Sequence, residues 1–289
     1  MGDAAGAAQH LAQLNGFVEG LVVPEHVGDG DGIVVCAGGR VYSLNALTSI
    51  LLLRHLGSKL PVEWWHYDGE LSVPQMKRMG GLGITFRLCG GESRTFRKSR
   101  GGYQLKAHAL LHSSFKRVLL LDADCFVDRP PEFMFDHRMF CRSGSVLWKD
   151  YGSWEPDSPF WRIIGEEPRT ISQIESGQML FDRSKTWEAL AVADYLNRNH
   201  EFYYHHMFGD KDTFLVGLLK TGCPVTMSQY RPLIGDGMFR HRWFDSTFVF
   251  YHLIGQKLRR NDKRPLSHRF RHGPRCLQLC AEACEILGM

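Results

Sequence analysis

Residues 118–124 read VLLLDAD: four consecutive aliphatic side chains, then two aspartates one residue apart. A short aliphatic run with no polar alternation fits a strand buried on both faces, as in a parallel sheet covered by helices. The run ends in acid. Carboxylates are seldom buried without a partner, and two so close together repel each other. A divalent cation relieves that repulsion, and Asp122 and Asp124 both reach one ion if the strand curls as it ends. The other reading is a plain turn cap ahead of the Pro-blocked exit RPP at 129–131.

Outward from this stretch the pattern repeats. GIVVCAGG (32–39) is a second buried strand, closed by the tight Ala37-Gly38-Gly39 turn. VEWWHY (62–67), ITFRL (84–88), SVLWKD (145–150), SGQMLFD (176–182) and STFVFYH (246–252) are further strand candidates. Helical spacing covers 42–56, where Gly57 is a stop, and also 104–114, 185–197 and the end of GDKDTFLVGLLK (209–220). Strands alternating with helices predict an α/β fold with a Rossmann-like, mostly parallel central sheet and helices on both faces. Ligands bind beyond the carboxyl ends of such strands. The Gly-rich turn after Val35 and the acids after Leu121 share that end, so they converge on one crevice.

The 289 residues contain no Ser/Pro/Gly linker and no repeat, which favours one main domain over residues 32–258. A loosely ordered segment with at most one short helix is expected at 1–31, and a basic segment with a C-terminal helix at 259–289. A formal charge of +4 is too weak to indicate nucleic acid. No apolar run reaches the ~18 residues a membrane span needs, and no signal-peptide pattern opens the chain, so a cytoplasmic protein is expected. The eight cysteines agree with a reducing compartment, five of them (Cys36, Cys89, Cys125, Cys141 and Cys223) being scattered. Cys276, Cys280 and Cys284 recur every fourth residue and read as a buried helical stripe. Lys257, Arg259, Arg260, Lys263, Arg264, Arg269, Arg271 and Arg275 form either a solvated tail or an anion-binding edge, for a diphosphate or for peripheral membrane contact.

HLIGQK (252–257) is the second chemical element. His252 suits a third metal-ligand position and favours manganese over magnesium, though a lone histidine after a strand is usually a packed residue. Gly255 permits close backbone approach, and Lys257 offers positive charge to a leaving diphosphate.

YQLKAHALLHSSFKRVLLLDAD (103–124), ESGQMLFDRSKTWEAL (175–190) and GDKDTF (209–214), in that order, resemble the mannosyltransferase family best known from fungal Golgi α-mannosyltransferases. GIVVCAGG and WWHYDGELS (64–72) match its early part, while HLIGQK is similar to the ending of the glycogenin and bacterial galactosyltransferase group. The resemblance covers about residues 32–258. It implies a GT-A fold, a nucleotide-diphosphate sugar donor, Mn2+ or Mg2+, a saccharide or glycoconjugate acceptor and retention of anomeric configuration. By position, it makes Asp122 and Asp124 metal and donor ligands, with Ala123 between them, and His252 the completing metal ligand. Lys257 would contact the diphosphate. Ala37 and Gly38 would lie against the nucleotide, and Tyr103 and Lys106 would help hold the donor. Glu175 and Asp210 become candidates for sugar hydroxyls, and Gln178, Lys211 and Asp212 for the neighbourhood of the reacting carbon. One of Asp210 and Asp212 is expected to cap the helix that follows.

The sequence shows neither the membrane anchor nor the luminal stem of the fungal members, so a bacterial-type cytosolic enzyme is expected. Mannose is the sugar the resemblance favours, and a UDP-glucosyl or UDP-galactosyl donor is the alternative. The same residues also fit an inverting enzyme using Asp210 or Asp212 as base, or a non-catalytic nucleotide-sugar-binding homologue. A nucleotidyltransferase is disfavoured, because AGGRVYS (37–43) offers only Arg40 to a triphosphate. DYGSWEPDSPFWR (150–162) reads as a loop over the crevice, where Trp154 and Trp161 are either core or rim packing or, for one of them, an acceptor contact. His205 and His206 read as a helix end, or as lining of that acceptor site.

Overall fold

The computed structural model describes residues 2–89, 102–261 and 266–289, with the backbone alone for 2–5. Its strands are β1 (Asp31–Cys36), β2 (Val62–His66), β3 (Ile84–Leu88), β4 (Arg117–Asp122), β5 (Cys125–Val127), β6 (Ser145–Trp154), β7 (Ile171–Asp182), β8 (Leu233–Gly235), β9 (Met238–Arg242) and β10 (Phe248–His252). The helices are α1 (Gly2–Glu19), α2 (Gly39–His55), α3 (Val73–Arg78), α4 (Leu105–His112), α5 (Arg138–Ser143), α6 (Pro159–Ile164), α7 (Arg183–Arg198), α8 (His200–Tyr203), α9 (Lys211–Lys220) and α10 (Gly273–Leu287).

The VLLL run folds as β4 inside a six-stranded sheet of order β3-β2-β1-β4-β7-β6. β1, β2, β3 and β4 pair in parallel, while β7 is antiparallel to both β4 and β6. Helices cover both faces. Ile33, Val35, Leu119 and Leu121 point into a core with α2 and α10, while Val34, Val118 and Leu120 point into a second core with α1, α4, α7 and α9. Burial on both faces is why these strands lack polar alternation. The α/β, mostly parallel architecture read from the sequence is therefore present. The predicted helix at 42–56 begins three residues earlier, at Gly39, and stops at Gly57, whose φ of +94° suits glycine.

The register aligns the chemistry. Val35 pairs with Leu121 and Cys36 with Asp122, so the Ala37-Gly38 turn leaves the sheet beside the acids. The chain turns at Ala123-Asp124 and enters a second, four-stranded antiparallel sheet of order β5-β10-β9-β8. The sequence patterns did not reveal that sheet.

Two expectations need correction. The start of the chain is an 18-residue helix, α1, rather than a loosely held segment. Leu14 is fully buried, the His10 ring stacks on Phe202 at 3.8 Å, and Phe17 stacks on Tyr195 at 4.4 Å. Its Ala/Gly-rich composition hid a helix whose order comes from aromatic partners nearly 200 residues away. The stretch 150–162 is not a loop. It continues β6 to Trp154 and then forms α6, capped by Ser158, whose Oγ accepts from the Phe160 N–H. Trp161 is buried in the core with its Nε1–H on the Glu155 carbonyl, so it does not overhang a crevice. The cysteine stripe on α10 is buried against α2, as its spacing implied.

Candidate active site

His252 reaches the acids through strand register. β10 runs antiparallel to β5, with His252 opposite Cys125, and the Leu253 N–H donates to the Asp124 carbonyl at 2.9 Å. The imidazole Nε2 lies 3.3 Å from Asp124 Oδ1 and 3.9 Å from Asp122 Oδ2. One ligand atom from each of Asp122, Asp124 and His252 falls within 4.8 Å of the others, the spacing a single cation needs. The other ring nitrogen, Nδ1, lies 3.3 Å from Glu175 Oε1. Carboxylates in that position fix the tautomer and orientation of a metal-binding histidine. Glu175 is therefore placed behind the imidazole rather than in open contact with a sugar.

A bulge in β7 makes room for this. Between the pairs Val146↔Leu180 and Trp148↔Glu175, β6 advances two residues while β7 advances five. The extra residues put Gly177 against the His252 ring, and its N–H donates to Glu175 Oε1 at 2.9 Å. Ser176 turns the other way, its Oγ 3.3 Å from Lys106 Nζ and 3.2 Å from Asp210 Oδ2.

Two lysines flank the acids. Lys106 Nζ sits 2.8 and 2.9 Å from the Asp122 oxygens and 3.2 Å from Asp210 Oδ2, and Lys257 Nζ lies 2.5 Å from Asp124 Oδ2. Burial opposes charge on Lys106, but Asp122 and Asp210 outweigh it and raise its pKa well above the ordinary lysine value. Burial opposes charge on Asp124 as well, yet His252 and Lys257 hold its carboxyl well below the usual range. Asp122 is raised by burial, against the pull of Lys106 and His252. Burial disfavours the imidazolium of His252, but hydrogen bonds from it to Asp124 and Glu175 push its pKa up to about 10. Glu175 is correspondingly lowered to about 2 despite its burial.

With His252 neutral, as a metal-bound imidazole must be, the charges at the site match a dication. Four carboxylates (Asp122, Asp124, Glu175, Asp210) face two ammonium groups. A neutral His252 leaves two negative charges in excess, the charge of one divalent ion, and a protonated one only half offsets them. Two carboxylates and an imidazole are a donor set suited to manganese, so the residues fit the metal expected for them.

Beyond the acids opens a cavity of about 240 Å³. Ala37, Gly38, Tyr103, Lys106, Asp122, Ala123 and Asp124 all line it, as the sequence reading grouped them. A Cβ at Gly38 would lie 1.9 Å from Glu70 Oε2, so the Glu70 carboxylate, which accepts from the Tyr67 N–H at 2.9 Å, would have to move. Tyr42, Tyr67 and Glu70 also line the cavity and were missed, although Tyr67 and Glu70 stand inside the WWHYDGELS motif. The Lys257 ammonium stands 5.6 Å from the Tyr42 ring centre. Gly255 does not line the cavity, and no close approach requires glycine there. Its N–H donates to the Gly237 carbonyl at 2.9 Å, and a Cβ would contact Gly237 at 3.4 Å.

The remaining candidates are dispersed. Gln178 is fully buried, with its Oε1 3.4 Å from Cys125 Sγ beneath the acidic turn. Asp210 stands at the N-cap of α9, but its side chain turns to Lys106 and Ser176 instead of capping. Asp212 is fully buried and does not cap either. Its oxygens accept from Trp154 Nε1–H (3.2 Å) and the Phe208 N–H (3.0 Å), which ties the loop before α9 to β6. The expectation that one of the two aspartates caps the helix is thus not met. Lys211 pairs with Asp150. Trp154 does border a hollow, together with Tyr103, Tyr204, His205, His206 and Phe208, and this hollow shares Tyr103 with the cavity above the acids. In the basic segment, Lys257 turns to Asp124 and Arg271 to Asp128, while Lys263 and Arg264 lie outside the described residues. No described helix is long and apolar enough to cross a membrane.

Comparison with known proteins places this geometry. The family model described as "Mannosyltransferase putative" matches residues 30–166 and 157–236. Alpha-1,2-mannosyltransferase MNN24 of Candida albicans is 29% identical over 242 residues, covering 68% of this chain and 33% of the relative. MNN22 of the same organism is 30% identical over 65% of this chain and 41% of its own length. Alpha-1,2-mannosyltransferase MNN2 of Saccharomyces cerevisiae is 25% identical over 68% of this chain and 41% of its own length. The chain thus spans about a third to two fifths of the length of these three relatives. Among solved structures, the galactosyltransferase LgtC with donor and acceptor sugar analogues aligns with a TM-score of 0.47 at 16% identity, over 68% of this chain and 73% of that one. The family match spans the first strand, the acidic turn, the β7 bulge and the start of α9, and the chain belongs to this mannosyltransferase family.

Proposed function

We propose that this chain is a metal-dependent, retaining glycosyltransferase that moves a hexose from a nucleotide-diphosphate sugar to a hydroxyl of a saccharide acceptor. Mannose is favoured because the curated relatives are α-1,2-mannosyltransferases by name. The observation that carries the reading is the convergence of Asp122, Asp124 and His252 at the mouth of a cavity walled by the Ala37-Gly38 turn and three tyrosines.

The residues divide the work. Asp122, Asp124 and His252 would hold Mn2+ or Mg2+, and Glu175 orients the imidazole from behind. When bound, the cation supplies Lewis-acid stabilisation of the diphosphate charge that grows as the sugar–phosphate bond weakens, worth several kcal/mol in such sites. Lys257 stands beside Asp124 to add positive charge on the same side. Ala37 and Gly38 leave room for the nucleotide, and Tyr42 and Tyr103 offer aromatic walls to it. Asp210 is held by Lys106 and Ser176, and Asp212 by Trp154 and Phe208, so neither is placed as a free base. That favours retention, with the departing phosphate accepting the proton of a hydroxyl that attacks from the same face.

The test is donor turnover. The chain is incubated with GDP-mannose and, separately, UDP-hexoses and Mn2+, and nucleotide release is followed with and without EDTA. Metal-dependent release, lost in a folded Asp124→Ala variant, is expected. NMR of the product should show the donor's anomeric configuration. Full activity in EDTA or in Asp124→Ala would refute the metal reading, and an inverted product would refute retention.

A further inference from the structure

Helix α4 brings Lys106 to the acids and carries two histidines further along, His108 and His112. Their four-residue spacing places both imidazoles on one helix face, with ring centres 4.4 Å apart. Asp194 of α7 meets them there. His108 Nδ1 and Asp194 Oδ1 are both buried, neither has a hydrogen-bond partner, and they lie 3.7 Å apart. That is too long for a hydrogen bond. It is close to the separation of about 3.4 Å between two ligand atoms each ~2.05 Å from a tetrahedral zinc ion. Asp194 is only 4% exposed. Its other oxygen accepts from Arg198 Nε at 2.7 Å, which anchors the carboxylate and leaves Oδ1 for a ligand. On the far side, the edge-on Trp65 indole packs 5.8 Å from the His108 ring. The three residues each offer an atom within 4.8 Å of the other two, and His112 is exposed, which gives an ion a way in.

We propose that His108, His112 and Asp194 form a second metal site, separate from the one at Asp122, that takes zinc or a similar borderline cation with water completing the shell. Two imidazoles and one carboxylate select such an ion over magnesium or calcium. Its position gives it a role. An ion there joins α4 to α7, and α4 is the helix whose Lys106 pairs with both Asp122 and Asp210. The second site would thus steady the donor site without touching a substrate.

The test is calorimetric titration of Zn2+ into the chain carrying Asp124→Ala, which disables the first site. One equivalent should bind. Adding His112→Ala, at an exposed position, should abolish that binding or weaken it at least tenfold. If circular dichroism shows that Asp124→Ala does not fold, His112→Ala alone is compared with the unaltered chain and must bind one equivalent fewer. No Zn2+ uptake by Asp124→Ala, or uptake indifferent to His112, overturns the proposal.

Discussion

Replacing Gly177 by alanine adds one methyl group at the back of the His252 imidazole. A Cβ there would lie 2.5 Å from Nδ1 and 2.9 Å from Cε1 of His252, and 3.1 Å from Glu175 Oε1. Ordinary contact begins at 3.4 Å, so ring or strand must give by about 0.9 Å (3.4 less 2.5). Metal–ligand distances tolerate only about 0.2 Å. The shift therefore breaks either the Nε2 placement beside Asp124 or the Nδ1 contact with Glu175. Disturbing such a histidine support weakens metal binding by about 10- to 100-fold, or roughly 1.4–2.8 kcal/mol. The φ of Gly177 is not in the left-handed region, so alanine is allowed on backbone grounds and the fold should persist with an overpacking cost of about 1–3 kcal/mol. Mn2+ titration followed by paramagnetic resonance reads the affinity, and thermal melting reads the fold. Gly217→Ala is the control. Its Cβ would lie 2.1 Å from the Ala189 carbonyl, where α9 crosses α7, so it should lower Tm and spare Mn2+ affinity. Wild-type Mn2+ affinity in Gly177→Ala, or equal weakening by both variants, would refute the reasoning.

Two further outcomes are expected. Lys106→Met leaves Asp122 and Asp210 without their shared cation; removing one partner from so buried a cluster costs about 3–5 kcal/mol, and added Mn2+ should raise Tm more in the variant than in the parent. Identical melting of the two chains would show that the pairing carries no energy. His241 is held neutral by burial, with its pKa pushed down to about 4 from 6.5. As pH falls through 6.5 the unfolded chain takes the proton first, and the folded chain follows only near pH 4, so stability is lost across that window, by at most about 3 kcal/mol from this group. His241→Gln should flatten that acid limb in urea unfolding measured from pH 7.5 to 4.5, and parallel curves for the two chains would exclude it.

The local pattern determined a good deal. Four aliphatics before Asp122 identified a strand buried on both faces, because only such a strand has no polar side to write into its sequence. Gly57, ITFRL and the every-fourth-residue cysteines were legible for similar reasons, since backbone torsion and one-sided burial act within a few residues. Register was not legible. Asp124 and His252 are 128 positions apart, and only the β5–β10 pairing puts the imidazole beside the carboxylates. The pairing of Glu175 with His252 depends on a five-against-two bulge in β7, which no period in ESGQMLFD announces. Likewise α1 is ordered by rings on α7 and α8, and the aspartate pair near α9 faces Lys106 and Trp154 instead of its own helix end. A sequence records which groups must be buried or paired. Which distant group satisfies each one is decided by how strands align and helices pack, and those contacts exist only once the chain has folded.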